Sequence, residues 1–200
     1  LKSMLERVDA GVGMILKALD ETGAADNTLV VLSSDNGGER WASNAPLFHH
    51  KATLWEGGIR VPCLMRWPGK IPPGTRSNLP GITMDLSATF LAAAGGTIPE
   101  DKPFDGVDLM PLLTGQAEAA ERSFCWRMQR SNRTMKAIRH GKWKYLNDGN
   151  TMDLLFDLET DVGERVNLNF THPDIVAELK KRLADWEAEM DAEEKEILVR

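Results

Sequence analysis

Residues 28–38, Thr-Leu-Val-Val-Leu-Ser-Ser-Asp-Asn-Gly-Gly, place a polar, glycine-rich loop directly after a continuous apolar run. The β-branched run over 28–33 is typical of a strand that is covered on both faces. Upstream of it, residues 5–19 carry apolar side chains at the spacing of an amphipathic helix. A helix followed by a buried strand predicts a parallel α/β sheet, and such sheets bind ligands at the carboxyl ends of their strands. The loop over 34–38 is therefore a candidate site.

The pattern changes near Glu118, where hairpin-like strands replace the alternation of helix and strand. Before that point we predict a strand over 59–67, a helix over 85–94 capped by Thr83, and an irregular connection over 99–115. After it we predict short strands over 123–129, 135–139, 142–146 and 154–158, and a helix from Pro173 with one apolar stripe. The sequence thus predicts two domains, 1–117 and 118–200, the second a small antiparallel sheet packed with a C-terminal helix.

The composition, 42% hydrophobic and 27% charged residues, is that of a globular protein able to bury a core. The net charge of -6 argues against general affinity for nucleic acid, because phosphate binding requires concentrated Lys and Arg. No apolar run approaches the roughly 20 residues that span a bilayer. We therefore predict no nucleic-acid partner and no membrane partner. Cys63 and Cys125 are too few for a disulfide scaffold and lack the spacing of a zinc site.

Asp35 and Asn36 offer a carboxylate and an amide oxygen on adjacent residues, the hard ligands that Ca²⁺ or Mg²⁺ prefers. A complete Ca²⁺ shell takes about six to eight oxygens, so two residues supply only part of one. The alternative is that Asp-Asn-Gly-Gly is simply a tight turn.

Lys51 lies in a second glycine-rich loop, His49-His50-Lys-Ala-Thr-Leu-Trp-Glu-Gly-Gly-Ile-Arg60, where its ammonium could bind an anion. The alternative is a solvated surface charge, which is the commoner state of a loop lysine. His49 and His50 could act as ligands or proton donors near neutral pH, or could lie at the surface. We assign Glu56 and Arg60 to loop structure.

Eight Lys or Arg residues and no acid occupy 122–144, with Phe124, Trp126 and Trp143 among them. This stretch could attract a polyanion, and loss of binding on changing Arg130 and Arg133 would then be expected. We favour the other interpretation, a solvated face of the hairpin sheet that balances the acidic tail over 187–196.

Several motifs resemble the sulfatase family of the alkaline-phosphatase-like superfamily, in the order in which the family has them. The most specific is Asn44-Ala-Pro-Leu followed by Lys51-x-Thr-x-Trp-Glu-Gly-Gly-Ile-Arg-x-Pro62. The others start at Thr28 (Thr-Leu-Val-Val-x-x-Ser-Asp-Asn-Gly), Asp85 (Asp-Leu-Ser-Ala-Thr-Phe), Asp105 (Asp-Gly-Val-Asp-Leu-Met-Pro-Leu-Leu-Thr-Gly), Ala137 (Ala-Ile-Arg-x-Gly-Lys-Trp-Lys) and Phe156 (Phe-Asp-Leu-Glu-Thr-Asp).

The resemblance implies a Ca²⁺-dependent hydrolysis in which a formylglycine hydrate, made from Cys or Ser, attacks the sulfur of a sulfate ester. It implies that Asp35 and Asn36 bind the Ca²⁺ and that Lys51 binds sulfate oxygens. Residues 1–117 would be the C-terminal part of the catalytic α/β domain, and 118–200 a C-terminal subdomain. The substrate would be a sulfate ester, including sulfated carbohydrates, and the location periplasmic or extracellular.

The chain departs from the family at the nucleophile, which lies in the motif Cys or Ser, any residue, Pro, any residue, Arg. Neither Cys63 nor Cys125 is in this motif. Because the chain opens on Leu1 inside a predicted helix, we expect a truncated, inactive portion that self-associates through its open sheet edge and uncovered apolar surface. Phe48, His49 and His50 stand where the family often has Arg-Gly-Gly. A phosphatase or phosphonate monoester hydrolase of the superfamily, or a noncatalytic domain that binds sulfated glycans, are the alternatives.

Overall fold

Helices and strands of the computed structural model form largely where the sequence patterns predict them, and the structure describes residues 1–149 and 151–198. The helices are α1 (Lys2–Glu21), α2 (Glu56–Ile59), α3 (Thr83–Ala93), α4 (Met110–Leu113) and α5 (Pro173–Leu198), with a short 3₁₀ turn at Ala25–Asn27. The strands are β1 (Val30–Ser33), β2 (Cys63–Arg66), β3 (Ser123–Arg130), β4 (Arg133–His140), β5 (Trp143–Asp148) and β6 (Met152–Asp157). They divide between two units, 1–33 with 62–120, and 34–61 with the chain from 121 onward.

The first unit contains α1, α3, α4 and the β1–β2 pair. Asp85 caps α3, because its carboxylate accepts the Ile82 N–H (2.9 Å). Thr83, which we predicted as the cap, is the first residue of the helix instead. The second carboxylate oxygen of Asp85 accepts the Val107 N–H (3.0 Å), so this buried side chain also fastens the irregular connection to α3.

Strand β1 pairs antiparallel with β2, in the register Val30 to Arg66 and Ser33 to Cys63. The predicted parallel pairing is therefore not found for this strand, and Leu32 is 42% exposed rather than covered. An apolar run indicates that a strand tends to be buried. Whether the strand is parallel or antiparallel to its neighbour depends on which strand it pairs with. The apolar side of α1 is likewise exposed, and self-association through it stays a prediction.

In the second unit, β3, β4, β5 and β6 form an antiparallel sheet in sequence order. Gly141 adopts a positive φ of 55° in the turn between β4 and β5, as a tight hairpin requires. Helix α5 begins with Pro173, whose missing N–H costs nothing at that position. The predicted small antiparallel sheet and its C-terminal helix are confirmed, within a mixed α/β fold.

Both faces of this sheet are covered, and different parts of the chain cover them. Leu179 and Leu183 of α5 pack on one face, against a cluster that includes Ile138, Tyr145 and Leu155. The other face carries a cluster of Met135, Ala137, Leu146, Phe156 and Leu158, and on it pack Leu54 and Trp55 of segment 34–61.

Segment 34–61 thus belongs by packing to the second unit, whereas the sequence-based division assigned it to the first domain. Its apolar side chains have their buried partners on the sheet, more than 70 residues away in sequence, and local patterns do not report such partners. Among the described residues, none of the helices combines the length and apolar character needed to cross a membrane.

Candidate functional site

Two backbone hydrogen bonds hold the loop with Asp35 and Asn36 against the loop with Lys51. The Gly37 N–H donates to the Gly58 carbonyl oxygen (2.9 Å), and the Lys51 N–H donates to the Gly38 carbonyl oxygen (3.0 Å). The structure therefore brings the three predicted site residues onto adjoining backbone segments. Asp35 and Lys51 are exposed and Asn36 is half-buried, so their side chains are available to a ligand.

Glycine is required where these segments meet, because their backbones approach too closely for a side chain. A Cβ at Gly37 would lie 1.8 Å from the Gly57 carbonyl oxygen, and one at Gly58 would lie 2.3 Å from the Thr53 carbonyl oxygen. Both obstacles are backbone atoms, which cannot swing away as a side chain could. Gly37 thus permits the contact between the two loops, whereas Gly58 permits the Lys51 loop to fold closely on itself.

Asn44 fastens the same region with its side chain. Its Oδ1 accepts the Gly38 N–H (2.9 Å), and its Nδ2 donates to the carbonyl oxygens of Gly38 (3.1 Å) and His49 (3.0 Å). One side-chain amide therefore makes hydrogen bonds to the backbone of both loops. From the sequence alone, Asn44 is only one residue of a motif and has no predicted role.

The turn around Lys51 is strained on both sides, since His49 and Ala52 have positive φ angles of 65° and 64°. The Thr53 hydroxyl donates to the His50 carbonyl oxygen (2.8 Å), and the Gly57 N–H donates to the Phe48 carbonyl oxygen (2.8 Å). These bonds hold the turn in that conformation, with the exposed lysine at its tip.

The two histidines differ in environment. The His49 ring contacts those of Phe48 and Trp55, stacked on Trp55 at 5.6 Å between centroids, and burial lowers its pKa. His50 has a backbone partner instead, since its Nδ1 lies 2.9 Å from the Lys51 carbonyl oxygen. A carbonyl oxygen only accepts, so Nδ1 carries the proton in this contact and Nε2 is left as the acceptor of the neutral ring. Of the pair, His50 is the one whose ring contacts the backbone of Lys51.

A buried ion cluster lies beneath α2. The Lys144 ammonium is 2.9 Å from Glu56 Oε1 and 2.8 Å from Glu164 Oε1, and all three side chains are buried. Glu164 Oε2 also accepts the Glu56 N–H (2.6 Å). Burial raises the pKa of the Glu164 carboxyl, and Lys144 opposes that rise. The assignment of Glu56 to loop structure agrees with these contacts, although its partners were missed because they lie far away in sequence.

The basic stretch 122–144 is largely neutralised within its own unit. Ion pairs join Lys136 to Glu187, Arg127 to Asp191, Arg133 to Asp148 and Lys142 to Asp157, while Lys144 is the buried cation described above. The pairs with Glu187 and Asp191 agree with the favoured interpretation of a face that balances the acidic tail. Lys144 does not agree, since it is fully buried rather than solvated.

An open depression of about 280 Å³ lies between the sheet and α5, lined by Lys136, Tyr145, Asn147, Lys180, Leu183, Ala184 and Glu187. Its cations already have carboxylate partners, Lys136 with Glu187 and Lys180 with Asp153. It is on the α5 side of the sheet, opposite segment 34–61, and we do not assign the site to it.

Among the side chains that the structure describes, in residues 1–149 and 151–192, no group of three or more His, Cys, Asp or Glu is arranged to hold a metal ion. Asp35 and Asn36 fit Ca²⁺ by the chemistry of their oxygens and by the exposure of Asp35. They provide two ligand residues, fewer than a complete shell.

Known proteins resemble this chain in both sequence and fold. The family described as Sulfatase matches residues 3–96. The chain is 40% identical to steryl-sulfatase of Rattus norvegicus over 67% of its own length and 27% of that protein, and 34% identical to arylsulfatase A of Homo sapiens over 82% of its own length and 38% of that protein. It therefore spans between a quarter and two fifths of the length of these relatives.

A crystal structure of Ps i-CgsB in complex with k-i-k-neocarrahexaose superposes with a TM-score of 0.86 and 32% identity, over 92% of this chain and 41% of that one. The phosphonate monoester hydrolase of Agrobacterium radiobacter superposes with a TM-score of 0.70 at 23% identity, which shows a shared fold alone. The sequence matches and the fold agree, and the chain belongs to the sulfatase family.

Proposed function

We propose that the full-length protein hydrolyses sulfate esters, and that Asp35, Asn36 and Lys51 belong to its active site. The observation that carries the proposal is the pairing of the two glycine-rich loops, with Gly37 bonded to Gly58 and Lys51 bonded to Gly38. This pairing puts a carboxylate, an amide and an exposed ammonium on adjoining backbone, the groups needed for a hard cation and an anion. Membership of the sulfatase family supports the choice of sulfate as that anion.

The three residues would divide between two roles in the proposed reaction. Asp35 and Asn36 would hold Ca²⁺ through their side-chain oxygens, and the ion would supply positive charge next to the sulfate group. Lys51 would bind sulfate oxygens and stabilise the negative charge that develops as the ester bond breaks. The pairing of the loops would keep Lys51 from moving away, so little reorganisation would accompany the reaction.

The 200 residues contain no Cys or Ser in the family's nucleophile motif, and we propose that they do not turn over sulfate esters alone. Sulfated carbohydrates are the substrate class we favour, since the neighbour with 32% identity was crystallised in complex with k-i-k-neocarrahexaose. The periplasmic or extracellular location stays a prediction from the family resemblance.

The test compares hydrolysis of 4-nitrophenyl sulfate and 4-nitrophenyl phosphate by the full-length protein, with and without a Ca²⁺ chelator. We expect turnover of the sulfate ester, its loss on chelation, and a fall in kcat/KM of about 10²–10³ for Lys51→Ala, the range found for removing one charge-stabilising group. Lys70→Ala, at another exposed lysine, is the matched control and should keep full activity. Preferred turnover of the phosphate ester, or full activity in Lys51→Ala, would refute the proposal.

A further inference from the structure

The charges of the buried cluster of Lys144, Glu56 and Glu164 are balanced by a fourth residue, Arg60. Arg60 Nη1 lies 3.4 Å from the second carboxylate oxygen of Glu56. Two cations and two carboxylates are thus gathered here, and the Lys144 side chain has no exposed surface. The Lys144 ammonium donates a hydrogen bond to Glu56 Oε1 and forms an ion pair with Glu164 Oε1.

The cluster is joined to the candidate site through α2. Glu56 is the first residue of this helix, and both its side chain and its N–H are held by the cluster. The next two residues make the contacts that hold the site together: Gly57 donates to Phe48, in the turn before Lys51, and Gly58 accepts from Gly37, next to Asn36. A single four-residue helix therefore carries the bonds to both candidate loops.

Stability alone does not explain an ion cluster in this place. A buried ion pair loses most of its Coulombic gain to desolvation, and well-packed apolar residues of similar volume are often as stable. Apolar contacts, however, allow a short helix to slide by fractions of an ångström, whereas charged hydrogen bonds fix direction as well as distance. Two carboxylates that reach one ammonium from different parts of the chain define the position of α2 on the sheet.

We propose that Lys144 is a positioning residue of the candidate site, which holds α2 through Glu56 and thereby sets the separation between the Asp35–Asn36 loop and Lys51. It touches neither substrate nor metal. The importance of Lys144 for catalysis rests on the proposed function, but its effect on the position of the two loops does not. The effect on catalysis and the effect on the loops can therefore be measured separately.

The experiment uses the full-length protein with Lys144→Met, which keeps the length of the side chain and removes the charge. Hydrogen–deuterium exchange is followed at the Gly37 and Lys51 amides, which are bonded to Gly58 and Gly38. Isothermal titration of Ca²⁺ gives a second readout. Leu183→Ala is the control, since it weakens the same sheet from the α5 face without touching α2.

We expect at least tenfold faster exchange at both amides in Lys144→Met, together with weaker Ca²⁺ binding. Leu183→Ala, compared in denaturant conditions that give equal global stability, should leave both amides at the wild-type rate. The double variant Lys144→Met with Glu164→Gln leaves Arg60 and Glu56 as a balanced pair. It should regain part of the lost unfolding midpoint while the two amides still exchange fast.

In the double variant, amide exchange could slow again in proportion to the regained unfolding midpoint. That result would overturn the inference, because the cluster would then act only through global stability. Wild-type exchange at both amides in Lys144→Met would overturn it as well. Faster exchange with unchanged Ca²⁺ affinity would support the hold of Lys144 on the loops and refute the assignment of Asp35 and Asn36 as metal ligands.

Discussion

Replacing Gly37 by Ala tests the contact on which the candidate site depends. The new Cβ would lie 1.8 Å from the Gly57 carbonyl oxygen and 2.7 Å from the Gly57 carbonyl carbon. An unstrained contact needs roughly 3.5 Å between carbon and oxygen, so the loops must separate. The Gly37–Gly58 hydrogen bond, 2.9 Å long between buried residues, cannot survive that movement.

The cost follows from what is lost. One net hydrogen bond contributes about 1 kcal/mol, and leaving a buried donor or acceptor unsatisfied costs about 1–3 kcal/mol. We therefore expect Gly37→Ala to lower the free energy of unfolding of the second unit by about 2–4 kcal/mol. A urea titration followed by tryptophan fluorescence measures this change, because Trp55 lies in the core of that unit.

The control for Gly37→Ala is the same change at Gly13, within α1, where a new Cβ meets nothing within 4 Å. There Ala should stabilise by about 0.5–1 kcal/mol, because glycine is the weaker helix former. A free energy of unfolding for Gly37→Ala within about 0.5 kcal/mol of the wild-type value would refute this explanation, because harmless substitutions ordinarily vary by that much.

Three further outcomes can be measured. Leu146→Ala, at a fully buried position facing segment 34–61, should cost about 2–5 kcal/mol in urea unfolding; a cost below about 1 kcal/mol would contradict that packing. A hydrogen bond from Lys180 lowers the pKa of Asp153 from 3.8 to about 2, so its stabilisation should be present above pH 3.8 and lost as the pH falls through about 2. The difference in unfolding free energy between wild type and Asp153→Asn should shrink over that range, and a constant difference would contradict the assignment. Burial raises the pKa of Cys125 to about 11, so at pH 8 iodoacetamide should alkylate the exposed Cys63 first, as peptide mass mapping would show.

Much of the local structure was predictable, because it depends on residues close together in the chain. The hairpin-like pattern predicted β3 to β6, and the apolar stripe predicted α5. The observed ends of these elements differ from the predicted ends by a few residues. The shift of the α3 cap from Thr83 to Asp85 is of the same small size. The loops with Asp35 and Lys51 were also found from sequence, since the concentration of glycine and polar residues marks them.

What depended on contacts between distant residues was not predictable. The antiparallel pairing of β1 with β2 was not predicted, because β2 lies 30 residues downstream and nothing in the β1 run indicates the direction of its partner. Lys144 was placed on a solvated face, since a charged residue in a basic stretch ordinarily lies there. Only the fold shows that two carboxylates meet it inside the protein.

The sequence by itself determined the longer helices and the strands of the C-terminal sheet, but not the short helices α2 and α4. It also determined which loops carry the candidate chemistry and the family resemblance that those motifs convey. The tertiary structure decided that segment 34–61 covers one face of the C-terminal sheet and that Glu56, 88 residues from Lys144, is bound to it. Periodicity is local and can be read along the chain, whereas a buried charge is tolerated only where the completed fold supplies its partner.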